Sequence, residues 1–246
     1  MQSFLLTLVL LATSAAAAEA KRPATPVHYS KPPPPDGMTY TVTCHAGKSP
    51  GGPVFLNHIG VAEAKQAMSS ATQFVWNMFN QTHPGDRRNV KKIALFIDNM
   101  KGDTLDAYPG KNEIHVNANF LGKYKGNIRR EFVGIVYHQV TRVWQWTGGK
   151  DREAPKGLLT GIAEFVRMEA HYGTSEKVKP GEGKQWDQGF GVTARFLAHC
   201  EKVKKGFVKE LNKRMRYGYT KAYFVDILGK PVDQLWKEYK SKYPKY

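Results

Sequence analysis

What this chain has little of narrows it first. Cysteine occurs only twice in 246 residues, at Cys44 and Cys200, so neither a disulfide-dense small scaffold nor a multi-cysteine zinc module can be built from it. Acidic residues are scarce: 21 Asp and Glu face 37 Lys and Arg, a formal net charge of +16. A surplus of that size draws polyanions such as nucleic acid, anionic membrane or acidic extracellular polysaccharide. The one long apolar run, Phe4 to Ala12, is shorter than the roughly 20 residues that span a bilayer. Nothing later in the chain comes nearer, which excludes a membrane span from the mature protein.

That apolar run is followed by small residues with A-x-A patterns at Ala16 to Ala18 and Ala18 to Ala20, so residues 1–20 read as a secretory signal, although without the usual basic n-region. Residues 21–36, "KRPATPVHYSKPPPPD", are proline-rich and read as an extended linker. The remaining 37–246 suit one domain with a sizeable core, 41% of the whole chain being hydrophobic and 12% aromatic. Secretion bears on three further features. It invites a Cys44–Cys200 disulfide, with two unpaired buried thiols as the alternative. It makes Asn80-Gln81-Thr82 a glycosylation sequon at Asn80. It also argues against nucleic acid as the partner, and no nucleic-acid-binding module is recognisable.

Elements follow from periodicity. "MTYTVTC" alternates as a strand; 61–79 carries apolar residues at helical spacing; "KKIALFIDN" reads as a buried strand and "NEIHVNANF" as a polar edge strand. From Asn127 onward helices dominate: 127–146, 157–172, 192–200 and beyond, a segment after Gly206, and 232–239. Strands early and helices late indicate an α+β domain. The last 46 residues hold thirteen Lys or Arg and five Asp or Glu, an excess of eight positive charges and half of the chain's total.

The helix from Asn127 carries two stripes. Phe132, Val136, Val140 and Val143 form an apolar face. Glu131, Gly134, His138, Arg142 and Gln145 form a polar one, with His138 and Arg142 one turn apart. In the next helix Thr160 and Glu164 share a face in the same way. Four-residue spacing on a helix is what two zinc-binding imidazoles use, with a carboxylate following the first to activate water. From spacing alone, a polar-lined contact between two helices is as far as these residues lead.

The runs "NEIHV", "REFVGIVYHQVTRVWQWTG", "GLLTGIAEFVRMEAHYG", "WDQGFGVTARFLAHC" and "LGKPVDQLWKEYK" resemble the plant basic secretory protein family, and the resemblance extends from Thr39 to the C-terminus. It implies a secreted, zincin-like peptidase linked to pathogen defence. The implied fold has a small N-terminal mixed sheet, an edge strand beside an active-site-type helix, and a mostly helical C-terminal half. The family's helix carries H-E-x-x-H-x-W-Q-W, and its next helix an E-G-I-A-D pattern supplying a third zinc ligand and an Asp that supports a ligand histidine.

Carried over by position, the resemblance keeps His138, keeps the supporting charge on the longer arm of Glu164, and is otherwise one of losses. Gln139 stands at the general base, and an amide cannot take a proton from metal-bound water. Arg142 stands at the second ligand with no lone pair to give. Thr160 replaces the third ligand, Glu164 replaces the supporting Asp, and Gly191 stands where many relatives have Asp.

These departures lead to a degenerate site without zinc or another cofactor. An ion pair between Arg142 and Glu164 is expected to fill it, beside His138, in a cleft that still holds a peptide or protein ligand. Trp144, Trp146 and Trp186 are candidates to line that cleft, though Trp144 fits the core. Two alternatives stay open: an active metallopeptidase using substitute ligands such as His138, Glu164 and His171, and a cell-wall polyanion binder using the basic C-terminal helices. The oligomeric state is not readable.

Overall fold

The computed structural model describes residues 37–102, 112–173 and 178–243. The signal peptide and proline-rich linker expected over 1–36 lie outside the described residues. Three strands, β1 (Thr39–Cys44), β2 (Lys92–Asp98) and β3 (Glu113–Asn117), form a sheet in the order β1-β2-β3. Both pairings are parallel, with Thr39 opposite Lys92 and Ala94 opposite Glu113. The mixed sheet expected from the family resemblance is therefore corrected to a parallel one among the described residues. The reason is connectivity: β1 reaches β2 through α1 (Gly51–His58) and α2 (Gly60–Met78), and a helical crossover returns the chain in the same direction.

β2 is buried along most of its length, as a central strand covered on its faces must be, and its sequence KIALFID is accordingly apolar. β3 lies at the sheet edge, where the sequence placed it. It stops at Asn117, and the second half of "NEIHVNANF", read as strand, is in fact the start of α3 (Ala118–Lys123). The Asn117 side chain accepts a hydrogen bond from the Asn119 backbone N–H, a cap that ends the strand by starting a helix.

Helices make up the rest: α4 (Ile128–Trp144), α5 (Lys156–Glu169), α6 (Phe190–Val203), α7 (Phe207–Arg214), α8 (Ala222–Leu228) and α9 (Val232–Ser241). Asn127 caps α4 by accepting from the Arg130 N–H. The expected apolar face of α4 is fully buried at Phe132, Val136, Val140 and Val143, each such side chain contributing roughly 1.5–3 kcal/mol relative to exposure. α4 packs on α2 on one side and α5 on the other, and α5 packs on α6. Among the described residues no helix is long and apolar enough to cross a membrane.

The disulfide is a second correction. Cys44 ends β1 and Cys200 is buried in α6, and both are free thiols. β1 packs against β2 and α2, whereas α6 packs against α5, α7 and α9, so different layers hold the two sulfurs. Burial pushes the Cys200 thiol pKa well above its usual value, leaving it protonated and unreactive.

The α5–α6 contact depends on one small residue. A Cβ on Gly161 would lie 2.2 Å from Thr193 Cγ2, and Thr193 is itself fixed by donating to the Trp186 carbonyl at 2.8 Å. Gly161→Ala is expected to destabilise the fold by about 1–3 kcal/mol through overpacking, read as a lower denaturation midpoint with unchanged slope.

Candidate functional site

Helices α4 and α5 face each other across a chain of buried polar groups. His138 Nδ1 lies 3.0 Å from Glu164 Oε2. Glu164 Oε2 lies 3.9 Å from Arg167 Nη1, one turn further along α5. Arg167 Nη2 donates to Glu131 Oε2 at 3.0 Å, and Nε donates to the Tyr172 carbonyl at 2.9 Å. Tyr124 adds a weaker contact, its hydroxyl 3.4 Å from the same Glu131 oxygen. His138, Glu164, Arg167 and Glu131 are all buried, none more than 9% exposed. This is the polar stripe read from the sequence, turned inward and closed by an arginine from the neighbouring helix.

Gly134, also on that stripe, makes the closure sterically feasible. A Cβ there would come within 2.7 Å of Arg167 Nε and 2.9 Å of Nη2. The guanidinium therefore sits close against the bare backbone of α4 at Gly134, within 4 Å of both carboxylates.

Above the chain opens a cavity of about 300 Å³, lined by Glu131, His138, Gln139, Glu164 and Arg167 at its polar end and by Phe120, Ile135, Val178 and Phe190 elsewhere. Phe190 begins α6, is 60% exposed, and stacks on His138 with ring centroids 5.7 Å apart and an interplanar angle of 19°. Phe120 belongs to α3, three residues beyond the end of β3, so the edge strand leads to the cavity rim.

The expected residues are distributed differently from the expectation. His138, Gln139 and Glu164 meet at the cavity. Arg142 does not join Glu164: its Nη1 is buried without a hydrogen-bond partner, and the carboxylate that favours its charge is Glu153. The anticipated Arg142–Glu164 pair is thus replaced by Arg167–Glu164, because Arg167 is on Glu164's own helix and one turn away. Thr160 Oγ1 turns back to its own helix, 3.2 Å from the Lys156 and Gly157 carbonyls, and is 3.4 Å from the Phe190 N–H. His171 is exposed beyond the end of α5, outside the cavity lining. Trp144 and Trp186 are core residues and Trp146 lines a different cavity, so none of the three lines this one. Asn80 is exposed just past α2, where a sequon would be accessible.

Sequence reasoning left Arg167 and Phe190 without a role. Arg167 could have been found as a charge on the apolar face of α5, three residues after Glu164, a spacing that places both on one side of a helix. Phe190 carried no such signal, because its stacking on His138 depends on how α6 docks.

Zinc, which the family resemblance implies, does not fit the donors present. Of the three ligand positions, His138 supplies an imidazole, Arg142 a guanidinium with no lone pair, and Thr160 a hydroxyl bonded within its helix. Among the described residues no group of three His, Cys, Asp or Glu side chains is placed to hold a metal ion. A buried guanidinium would also repel a dication.

Fold and cleft together define an α+β protein whose buried acid–base groups converge on a cavity, the arrangement enzymes draw on for proton transfer. The family described as "Peptidase of plants and bacteria" matches residues 36–239, and the chain belongs to that family. It is 39% identical over 59 residues to a Boswellia serrata protein named "Basic secretory protease", an alignment spanning 24% of this chain and 67% of that relative. No solved structure matches.

Two predictions arise from this cluster. Arg167→Met leaves two buried carboxylates without their cation and is expected to cost about 3–5 kcal/mol of stability, measured by urea denaturation. The second concerns pH. Burial lowers the His138 pKa below 6.5, more strongly than the Glu164 hydrogen bond and charge raise it, with Arg167 and Arg142 adding to the lowering. The unfolded state therefore takes up the proton first as pH falls, and stability present above pH 6.5 is lost below it. Tm is expected to drop between pH 7 and pH 5. The slope should be shallower in His138→Gln, with His199, whose pKa burial also lowers, accounting for part of the remainder.

Proposed function

We propose that this protein is a secreted, basic member of its family that holds peptide or protein ligands in the former active-site cleft instead of cleaving them. The observation that carries this reading is the engagement of His138 by Glu164 at 3.0 Å beside a 300 Å³ cavity, where the two other ligand positions hold Arg142 and Thr160. Gln139, at the general-base position, cannot accept a proton from water. What remains is a recess with an apolar wall of Phe120, Ile135, Val178 and Phe190 and a polar floor. Such a wall takes an aromatic or long aliphatic side chain, while β3 at the sheet edge offers backbone pairing to an extended chain. Extracellular location is supported by the N-terminal signal pattern and by the secretory name of the Boswellia relative.

Selection of displayed random peptides on the purified protein tests this. Selected peptides are expected to share one large apolar side chain, to be recovered intact, and to bind Phe190→Ala at least about tenfold more weakly, the loss of one buried aromatic contact. Elemental analysis should find no stoichiometric zinc. Zinc at one per chain that is lost in His138→Ala, together with chelator-sensitive proteolysis, would overturn the proposal.

A further inference from the structure

A second cavity, of about 360 Å³, lies away from the His138 cleft. Its walls come from the turn after α2 (Phe79, Asn80, Gln81), from Trp146 after α4, and from α7 with its following turn (Lys209, Asn212, Lys213, Arg216, Tyr217). We infer that this cavity binds an acidic sugar residue, a uronate of an extracellular oligosaccharide.

The inference starts from an unmet need. Gln81 lines the cavity and is 2% exposed, yet neither its amide oxygen nor its amide nitrogen has a hydrogen-bond partner. Buried polar groups are nearly always paired, since leaving them unpaired forfeits their hydration without return. Both atoms are shut off from solvent as the side chain stands, so a ligand meets them by turning the amide toward the cavity, and they then ask for opposite partners, a donor for the oxygen and an acceptor for the nitrogen. A bare anion supplies only acceptors. Sugar hydroxyls supply both.

Charge adds the second half of the specificity. Lys209 and Lys213 are exposed, one helical turn apart, and neither is in an ion pair with a described residue. The nearest acid on that helix, Glu210, is bound to Arg214 at 2.8 Å. Arg216 is held in place by donating to the Gly85 carbonyl at 2.7 Å, with its guanidinium 5.0 Å from the centre of the Trp146 ring. These cations outnumber Asp86, the other acid of the lining. Tyr217 also lines the cavity and is 74% exposed, with the Arg216 guanidinium 5.7 Å from its ring centre, and an exposed aromatic ring is a surface on which the C–H face of a sugar packs. Hydroxyl-pairing amide, carboxylate-pairing lysines and an aromatic platform converge on one chemical class.

The test uses titration calorimetry at low salt with trigalacturonate, alongside maltotriose as a neutral sugar and citrate as an anion poor in hydroxyls. The protein is produced with Asn80 unmodified, so that no glycan stands at the rim. Trigalacturonate is expected to bind one per chain. Its affinity should fall about tenfold or more in Gln81→Leu, in Tyr217→Ala and in Lys209→Gln/Lys213→Gln, while all three variants keep wild-type circular dichroism. Citrate and maltotriose are expected to bind at least tenfold more weakly. Equal binding of citrate would reduce the site to a general anion patch and overturn the inference. So would undiminished trigalacturonate binding in Gln81→Leu, which would mean that internal water satisfies the amide. None of these readouts passes through His138, so the outcome is separate from that of the peptide-binding proposal.

Discussion

The buried guanidinium of Arg167 holds the rest of this structure's chemistry in place. Two carboxylates on two helices, Glu131 and Glu164, are buried within reach of it, and burying an ion without a partner costs several kcal/mol. Arg167 meets the cost because it is planar and has five donors, which it divides among Glu131, the Tyr172 carbonyl and the vicinity of Glu164. Its position in turn requires a glycine at 134, since any side chain there would occupy the guanidinium's place. The α4–α5 interface, the orientation of His138 and the shape of the cavity all follow from this one cation.

The zinc chemistry that the family resemblance implies does not fit the side chains at the corresponding positions of this chain. A dication between two helices lets carboxylates and imidazoles converge. Here Arg167 provides the positive charge that joins α4 to α5, and the half-buried Arg142 adds another nearby, favoured by Glu153. His138, made harder to protonate by burial and by these two cations, stays a neutral imidazole that donates from Nδ1 to Glu164. His138 and Glu164 thus make a carboxylate–imidazole contact of the kind that orients a metal-ligating histidine in a metalloprotein.

The large positive charge has a local use as well as a global one. Much of it is solvated surface on the C-terminal helices. Around the Gln81 cavity, however, lysines, an anchored arginine and aromatic rings come together from three separate parts of the chain, which turns a diffuse attraction for polyanions into a shaped recess.

Much of this was legible in sequence. The α+β order, the strands β1 and β2, the boundaries of α4 to within two residues and its buried apolar face all follow from periodicity and an Asn cap, which are local properties. The chemistry open to Gln139, Arg142 and Thr160 as side chains was legible too, because a residue's lone pairs are fixed by its identity. The parallel sense of the sheet, the free state of Cys44 and Cys200, and the choice of Arg167 over Arg142 as partner of Glu164 were not legible. Each depends on which surfaces meet across the fold, and the order of residues along one element does not carry that information. Sequence by itself determined what each group on the helix can do chemically. Only tertiary packing decided which groups face one another, because pairing is set by the few ångströms separating side chains that lie far apart in the chain.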